Sequence, residues 1–317
     1  MKYAAKRAAM LLLTMVIVSF LAFAAFNVIS GDPVLDKLGT EATPEQIEAL
    51  RAAYGLDRPF FTRYFEWLGG FFTGDLGMSY RYGQPVMDLI APKVGVTLAL
   101  SLVTFVLIVV VSIPLGVLSA RHFSGIRDGA WSTGIQLFMA VPPFFTGVLL
   151  TWVFSIILGW FEHGRFPGLA EDFWGSMGYL CYAAVAIAIP RIAMTVRMLR
   201  STIQNEQDKD YVRTAISRGN DRGQVLRRHV LKNALVPVVT FLAQTLAEIV
   251  AASVLVEQVF AIPGLGRLMV ASIGTRDFPV VQAIVVILAF WVVLAGTIAD
   301  LINQRIDPRL RLGGGKR

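Results

Sequence analysis

The charged residues of this sequence that could do chemistry stand inside apolar segments. Glu248 lies in the middle of an apolar run near 235–256, and Arg191 follows Pro190 in another run near 178–199. A charge inside a membrane span is a candidate functional group, because placing it at the bilayer centre costs about 2.5–3.5 kcal/mol. One hypothesis is that Glu248 lines a translocation pathway and contacts a cationic group of the cargo. An equally open alternative is a structural polar contact to a neighbouring helix or partner subunit.

Two consecutive prolines mark a second candidate for a pathway. Pro142 and Pro143 interrupt an apolar run near 134–160. Backbone groups freed by a proline are tolerated at membrane depth only where neighbours or a water-lined cavity satisfy them. We therefore expect this pair, with Arg191 and Glu248, to mark a pathway or gate, while a kinked and packed helix explains the prolines equally well.

The groups that common enzymes need are absent from the sequence. No Gly-x-x-x-x-Gly-Lys-Ser/Thr phosphate loop occurs, so ATP would have to be hydrolysed by another chain. His122, His163 and His229 are scattered over different loops, and Cys181 is the single cysteine, which argues against a disulfide framework or a metal site. Neither His-Glu-x-x-His nor Gly-x-Ser-x-Gly is present. We predict a chain that is no enzyme and has no metal or cofactor.

The segment 210–237 is strongly polar in a chain that is otherwise mostly apolar. Val212, Ala215, Ile216 and Gly219 recur with helical spacing, so they form one face of a short helix. Gly219 and the following asparagine tolerate the left-handed conformation that ends a helix. Asp221, with a glutamine three residues later, can cap a second short helix. Such a helix–turn–helix is too polar to cross a bilayer, and we expect it to lie at the membrane surface and present one face to a partner.

These elements must be positioned by membrane-spanning helices. The chain has 317 residues, of which 55% are hydrophobic and 16% charged, which indicates a polytopic membrane protein. The predicted fold class is all-α with six transmembrane helices, near 8–29, 95–120, 134–160, 178–199, 235–256 and 280–300. A cleaved signal peptide is the alternative for the first run, whose length favours a retained helix.

Charge placement predicts the orientation of these helices. The net charge is +7, the loop 197–233 carries nine basic and four acidic residues, and the loop 31–94 carries six basic and nine acidic residues. Because basic loops stay in the cytoplasm, both termini and the 197–233 loop are predicted to be cytoplasmic and the 31–94 loop external. Topogenic charges of this kind, without a basic and aromatic recognition module, also argue against nucleic-acid binding.

The polar segment resembles the cytoplasmic coupling loop of ABC importer permeases. Asp210-Tyr-Val-Arg-Thr-Ala, Arg228-His229 and Asn233-Ala-Leu-Val-Pro are similar to the subgroup of binding-protein-dependent permeases for dipeptides, oligopeptides and nickel. Arg213-Thr214-Ala215 stands where Glu-Ala-Ala is usual in the wider family, and Lys232 where a proline is usual. The ATPase-docking residues that the resemblance implies are Arg213, Thr214, Ala215, Gly219, His229, Val230, Leu231, Lys232, Asn233 and Ala234.

The resemblance continues along the chain and implies its organisation. Similar features are Gly74-Asp-Leu-Gly77, Arg276-Asp-Phe-Pro279 and Asp307-Pro-Arg-Leu-Arg311. The regions implied are a tail and first helix (1–30), an external loop (31–94), a five-helix permease core with its coupling loop at 200–234 (95–304) and a cytoplasmic tail (305–317).

The resemblance also implies partners and a cargo. The partners are a second, related permease subunit, two ATPase subunits that bind ATP and Mg²⁺, an extracytoplasmic substrate-binding protein and the lipid bilayer. Di- or oligopeptides are the favoured cargo, and nickel or a metal chelate is the alternative. A self-sufficient transporter driven by ions is a further alternative, but it predicts internal repeats and several membrane acids, which the sequence lacks.

Overall fold

The computed structural model describes residues 2–28, 33–39, 42–122 and 126–306. The predicted C-terminal tail therefore lies almost entirely outside the described residues. Within the described ranges the chain is all-helical, with a single isolated bridge between Met78 and Pro85 as its β pairing. The all-α prediction is confirmed for these residues.

Thirteen α-helices follow one another in the described ranges, with two π-helical segments among them. They are α1 (Lys2–Val28), α2 (Pro33–Leu38), α3 (Pro44–Ala53), α4 (Phe60–Thr73), α5 (Val86–His122), α6 (Ile126–Ala140), α7 (Pro143–Leu150), α8 (Phe173–Gln207), α9 (Asp210–Ser217), α10 (Arg222–Val225), α11 (Leu231–Val259), α12 (Leu265–Gly274) and α13 (Phe278–Ile306). The π-helical segments are Thr151–Ile157, after α7, and Leu226–Val230, between α10 and α11.

Four of these helical stretches are long and apolar enough to cross a membrane. They are Val86–Arg121, Phe173–Gln207, Arg222–Val259 and Phe278–Ala299. Pro190 lies inside α8 without breaking it, and Pro237 lies inside α11. The apolar stretch Ala9–Ala25 of α1 is shorter than these four.

The predicted span at 134–160 is not one helix. It consists of Asp128–Ala140 and Pro143–Ile157, which meet at an angle of 92°. Pro142 has an extended conformation at the junction, since its ψ is 140°. The residue before a proline is also disfavoured from the helical region, which is the physical reason for the break at the Pro142-Pro143 pair.

The described residues divide into two compact units. The first is drawn from Met1–Leu98 and Ala261–Val293, and the second from Ala99–Phe260 and Leu294–Arg317. The core of the first unit is formed by the start of α5, by α12 and by the start of α13, through Val86, Ile90, Leu265, Leu268, Val280 and Ile284. The hydroxyl of Thr97 accepts the backbone N–H of Leu265 at 2.9 Å, which satisfies a donor at the start of α12.

Helix α8 is the centre of the second unit, where it packs against α6, α7 and α11. Two glycines allow helices of this unit to approach one another closely. A Cβ atom on Gly116 would lie 2.7 Å from the Leu199 side chain, and one on Gly147 would lie 3.2 Å from Phe260. The Tyr179 hydroxyl also donates to the Phe260 carbonyl at 2.6 Å, which ties α8 to the end of α11.

Candidate functional site

The polar segment begins with the predicted helix and turn. Helix α9 ends at Ser217, and Gly219 follows with a φ of 85°, the left-handed conformation that favours glycine. The Gly219 N–H donates to the Ile216 carbonyl at 2.9 Å, and the side chain of Asn220 donates to the Ala215 carbonyl at 2.9 Å. These bonds satisfy carbonyl groups at the helix end. The prediction of a helix closed by Gly219 and Asn220 is confirmed.

The second helix of the segment differs from the prediction. The Asp221 side chain caps it by accepting the N–H of Gly223 at 2.8 Å, so the capped donor is not that of Gln224. The helix does not end after a few residues, because Arg222–Val259 forms one stretch of 38 residues through a π-helical turn at Leu226–Val230. A force applied to the turn is therefore applied directly to a membrane-crossing helix.

Most of the predicted docking residues are accessible in the described chain. Val230 and Ala234 are buried, and Ala215 and Leu231 are half-buried. The other docking residues are exposed, namely Arg213, Thr214, Gly219, His229, Lys232 and Asn233. The apolar side chain of Ile216 is 42% exposed beside them, whereas Val212 is buried. The segment thus has a face anchored in the protein and a face left open.

A hydrogen-bond network ties α9 to the helices on either side of it. The Tyr211 hydroxyl donates to Glu206 Oε2 at 2.7 Å, and Asn233 Nδ2 donates to the Tyr211 hydroxyl at 3.2 Å. Lys209 forms an ion pair with the same glutamate. Burial and the bond to the Glu206 carboxylate raise the pKa of Tyr211 above its ordinary value, so the hydroxyl remains a donor at neutral pH. The network joins the end of α8, α9 and the start of α11.

The two charges predicted inside spans form an ion pair. Arg191 on α8 pairs through its guanidinium with the Glu248 carboxylate on α11. The Arg191 side chain is 23% exposed and that of Glu248 is 47% exposed, so the pair lies at the edge of the packed unit. The structure thus gives each charge an opposite partner on the neighbouring helix.

The proline pair lies at the start of α7, which packs against α8 and α11. Pro142 is exposed and Pro143 half-buried, and the Pro142 carbonyl accepts the N–H of Thr146 at 3.1 Å at the start of α7. Within the described part of the chain, no hydrogen bond or ion pair joins either proline to Arg191 or Glu248.

A second ion pair between helices was not predicted. Arg200 near the end of α8 pairs with Asp128 in the first turn of α6. Arg200 is buried, with 8% of its surface exposed. From the sequence it was one basic residue among nine in a charged loop, and no periodicity distinguishes it from the rest.

In the first unit, one buried carboxylate organises a loop distant in sequence. Asp277 is fully buried and accepts hydrogen bonds from Ser79 Oγ at 2.5 Å, Tyr80 N at 2.9 Å and Arg81 N at 3.4 Å.

The Tyr54 and Tyr80 rings stack at 4.2 Å, and the Tyr54 hydroxyl donates to the Tyr80 carbonyl at 3.1 Å. Burial raises the pKa of Tyr80 to about 12, so its hydroxyl is protonated at neutral pH.

A cavity of about 780 Å³ opens beside this loop. Its lining includes Arg51, Arg58, Glu66, Trp67 and Tyr80. The described residues contain no group of three or more histidine, cysteine, aspartate or glutamate side chains that could hold a metal ion.

Comparison with known proteins identifies the family. Residues 112–312 match the family described as the inner membrane component of binding-protein-dependent transport systems, and residues 1–101 match the N-terminal region of the same kind of component. The chain belongs to this family. It is a multi-pass permease of the inner membrane.

Several relatives of the permease match over nearly their whole length. A putative peptide transport system permease protein of Brucella abortus is 36% identical over 310 residues, which cover 96% of this chain and 98% of the relative. An oligopeptide transport system permease protein of Bacillus subtilis is 37% identical and covers 92% of this chain and 94% of its own. A dipeptide transport system permease protein of Lactococcus lactis is 33% identical, with coverage of 98% and 99%.

A solved structure confirms the fold of the permease. A chain of the methionine ABC transporter MetNI, in an inward-facing conformation, matches with a TM-score of 0.55 and 23% identity. The match covers 70% of this chain and 97% of the other. This likeness supports the permease fold alone.

Several residues of the permease that organise its charged contacts were missed from the sequence. Glu206 and Arg200 belong to no motif, and Tyr211 and Asn233 lie in family-like motifs that do not indicate their hydrogen bond to each other. Asp277 belongs to the motif Arg276-Asp-Phe-Pro279, but its hydrogen-bond partners lie almost 200 residues earlier in the chain.

We expect Asp277→Asn to destabilise the loop at residues 79–82 of the permease. The amide keeps one acceptor oxygen and cannot accept both backbone N–H groups and the Ser79 hydroxyl, and a buried donor left unpaired costs about 1–3 kcal/mol. Trypsin should then cleave faster after Arg81, which is exposed in this loop. Limited proteolysis of the purified chain measures the rate.

Asp75→Asn is the matched control for this change. Asp75 is exposed and accepts one hydrogen bond, from Gly77 N at 2.9 Å, which an asparagine can also accept. Cleavage after Arg81 should stay at the wild-type rate. Equal rates for the Asp277 and Asp75 variants would contradict the role given to Asp277.

Proposed function

We propose that this chain is one of two permease subunits of an ATP-driven, binding-protein-dependent importer of di- or oligopeptides. The observation that carries the proposal is the exposed helix–turn segment of α9 and α10, which continues without a break into the membrane-crossing helix α11. When a partner bound to this turn moves, it displaces the membrane-crossing helix with it as a rigid body. The relatives named as peptide permeases support the choice of cargo.

The proposed topology has six transmembrane helices with both termini in the cytoplasm. The four long apolar helices and the bent pair α6–α7 supply five of them, and α1 supplies the first. The excess of basic residues in 197–233 and of acidic residues in 31–94 supports this orientation. The regions are 1–30, the external loop 31–94, the core 95–304 with its coupling loop at 200–234, and the tail 305–317.

Docking of an ATPase is assigned to the exposed residues of the coupling segment. Gly219 leaves the turn without a side chain, and Arg213, Thr214 and Ile216 on the preceding helix are exposed. The Tyr211 network then carries displacement of α9 to both α8 and α11, because it is bonded to each of them. ATP and Mg²⁺ belong to the partner ATPase subunits, and this chain needs no cofactor of its own.

The remaining partners follow from the family. A second permease chain, related to this one, completes the pathway, and a substrate-binding protein delivers the cargo to the external side of the membrane. Pro142 and Pro143, at the bend of 92°, and the Arg191–Glu248 pair are assigned to the pathway or its gate. No role in nucleic-acid binding is proposed.

Peptides are preferred over nickel as the cargo on one structural ground. A carboxylate inside a membrane span is the group that would suit nickel or a metal chelate, but the charge of Glu248 is already balanced by Arg191. A zwitterionic peptide can instead exchange with the pair, because its carboxylate suits the guanidinium and its ammonium group suits the glutamate. Nickel remains the second candidate to be tested.

The test is co-purification of the tagged chain from its native membrane, with mass spectrometry of the proteins that remain bound. We expect an ATPase and a second permease chain, and we expect reconstituted vesicles that contain the cognate binding protein to take up radiolabelled dipeptide in the presence of ATP. Nickel uptake without peptide uptake would contradict the assignment of peptides as the cargo. Recovery of the chain alone, with uptake driven by an ion gradient, would contradict the assignment as an ATP-driven importer.

A further inference from the structure

Helix α4 is apolar on two adjacent faces. Phe60, Tyr64, Trp67 and Phe71 recur at i, i+4, i+7 and i+11 and form one stripe. Phe61, Phe65 and Phe72 recur at i, i+4 and i+11 and form a second stripe about 100° away around the helix. The two stripes together cover about half of the helix surface.

The first stripe is packed. The Phe20 and Phe23 rings of α1 lie 6.0 and 5.3 Å from the ring of Phe60, and 5.4 and 5.5 Å from that of Tyr64. Tyr64 is 3% exposed, and its hydroxyl lies 3.0 Å from Ser19 Oγ. Helix α4 therefore lies directly against α1.

The second stripe is open. Within the described chain, Phe61 is 62% exposed, Phe65 64% and Phe72 73%. Three exposed phenylalanines on one helix face are unusual on a surface in contact with water, because each leaves a large apolar area hydrated. Something apolar must cover them in the assembled protein.

The depth of α4 relative to α1 indicates what covers the stripe. The Tyr64 hydroxyl also donates to the Val16 carbonyl at 3.4 Å, and Val16 lies near the middle of the apolar stretch Ala9–Ala25. In the proposed topology α1 is the first transmembrane helix, so a helix that contacts the middle of its apolar stretch lies at the depth of lipid. Helix α1 exposes its own apolar side chains over the same length, with Leu13 at 60%, Ile17 at 49% and Leu21 at 60%. The open stripe thus adjoins a surface that already faces lipid.

The opposite side of α4 is suited to water. Thr62, Glu66 and Thr73 lie on it and are exposed. Glu66 pairs with Arg58 at 3.0 Å, with both side chains more than half exposed, and both line the cavity of about 780 Å³. A helix with a wide apolar face and a charged face is typical of a segment that lies in the membrane interface.

We propose that α4 is embedded in the outer leaflet of the bilayer beside α1, with Phe61, Phe65 and Phe72 inserted among phospholipid acyl chains. The loop 31–94 is then anchored in the membrane along α4, whereas its acidic composition had indicated a wholly external segment. The choice of leaflet rests on the proposed orientation of α1, but the lipid contact depends on neither the cargo nor the ATPase.

Site-directed spin labelling of the full-length chain, with its co-purified partners, tests the proposal in liposomes of phosphatidylethanolamine and phosphatidylglycerol. The background is Cys181→Ser, which removes the single native cysteine. Labels are placed by Phe61→Cys, Phe65→Cys and Phe72→Cys on the open stripe, by Thr62→Cys and Thr73→Cys on the polar side, and by Leu13→Cys as a lipid-facing reference. The measurement is the ratio of collision rates with oxygen, which concentrates in lipid, and with a water-soluble nickel chelate.

We expect the ratio at the three phenylalanine positions to match Leu13 and to exceed the ratio at the two threonine positions several-fold. Equal ratios at phenylalanine and threonine positions would place the stripe in water and overturn the proposal. Low collision rates with both reagents at the stripe would show that protein covers it, whether a binding protein, the second permease or another copy of this chain, and would also overturn it.

The side of the membrane is tested separately from the lipid contact. A membrane-impermeant maleimide added to intact spheroplasts should label Thr62→Cys, and labelling restricted to inverted vesicles would overturn the outer-leaflet assignment. The lipid contact and the importer function can also be told apart. If the chain co-purifies without an ATPase but the oxygen ratio at the stripe is high, the lipid contact is supported and the importer function is contradicted.

Discussion

Gly219→Trp is expected to remove the ATPase from the purified permease and to reduce uptake to background. The glycine has a φ of 85°, with open space where a Cβ would lie, so an indole at this position projects into the docking face. The left-handed conformation adds about 1–2 kcal/mol of strain for a residue with a Cβ. Mass spectrometry of the co-purified proteins and ATP-dependent uptake in vesicles measure the two effects.

Two further variants distinguish a blocked docking surface from strain in the backbone at position 219. Gly219→Ala carries the strain without the bulk and should retain a measurable part of the ATPase. Gly164→Trp places an indole at a glycine with nearly the same φ, 84°, and open space around its Cβ position, but in a loop outside the docking segment. It should retain the ATPase and uptake. Loss of the ATPase in Gly164→Trp, or its retention in Gly219→Trp, would contradict the docking role.

Removing either member of the Arg191–Glu248 pair is expected to impair both folding and uptake. Glu248→Ala leaves a guanidinium without its carboxylate inside the membrane-crossing part of α8, at a cost of about 2–3 kcal/mol. Arg191→Ala leaves the carboxylate unpaired on α11 at a similar cost. The double variant Arg191→Glu/Glu248→Arg restores opposite charges, so it should recover most of the thermal stability of the complex.

Uptake by the double variant distinguishes a structural pair from a contact with the cargo. If the pair also binds cargo, the swapped variant should be folded but should take up cationic and anionic peptides in altered proportion, and Glu248→Gln should shift the proportion in the same direction. Unchanged proportions in both variants would exclude the cargo contact and leave the structural pair. Arg165→Ala is the matched control, because Arg165 and Glu162 form an exposed pair at 2.9 Å whose loss should cost well under about 1 kcal/mol.

The sequence by itself determined the features that depend on near neighbours along the chain. Hydrophobic runs predicted helices over most of the apolar segments, since a backbone in lipid must satisfy its own hydrogen bonds. Helix α3 likewise begins at a local signal, a capping box in which the side chains of Thr43 and Gln46 accept hydrogen bonds from each other's backbone N–H groups. The end of α9 at Gly219 was predicted for the same local reason.

Local signals were less informative where one element runs into the next. The sequence predicted a short second helix after Asp221, but a polar start and an apolar continuation share the same helical period, and the structure shows one helix to Val259. Pro142-Pro143 and Pro190 look alike as interruptions of apolar runs. The helix breaks at the first and continues at the second, where Pro190 is buried inside α8 and α8 packs against α6, α7 and α11.

Only the tertiary structure decided which charged and polar side chains meet. Arg191 and Glu248 are 57 positions apart, Tyr211 and Asn233 are 22 apart, and Ser79 and Asp277 are 198 apart. No period in a sequence relates residues on different helices, because their distance depends on how the helices cross and pack. The same holds for the membrane-facing stripe of α4. The spacing of its phenylalanines can be read from the sequence, but the depth of α4 in the bilayer follows only from the contact between Tyr64 and the middle of α1.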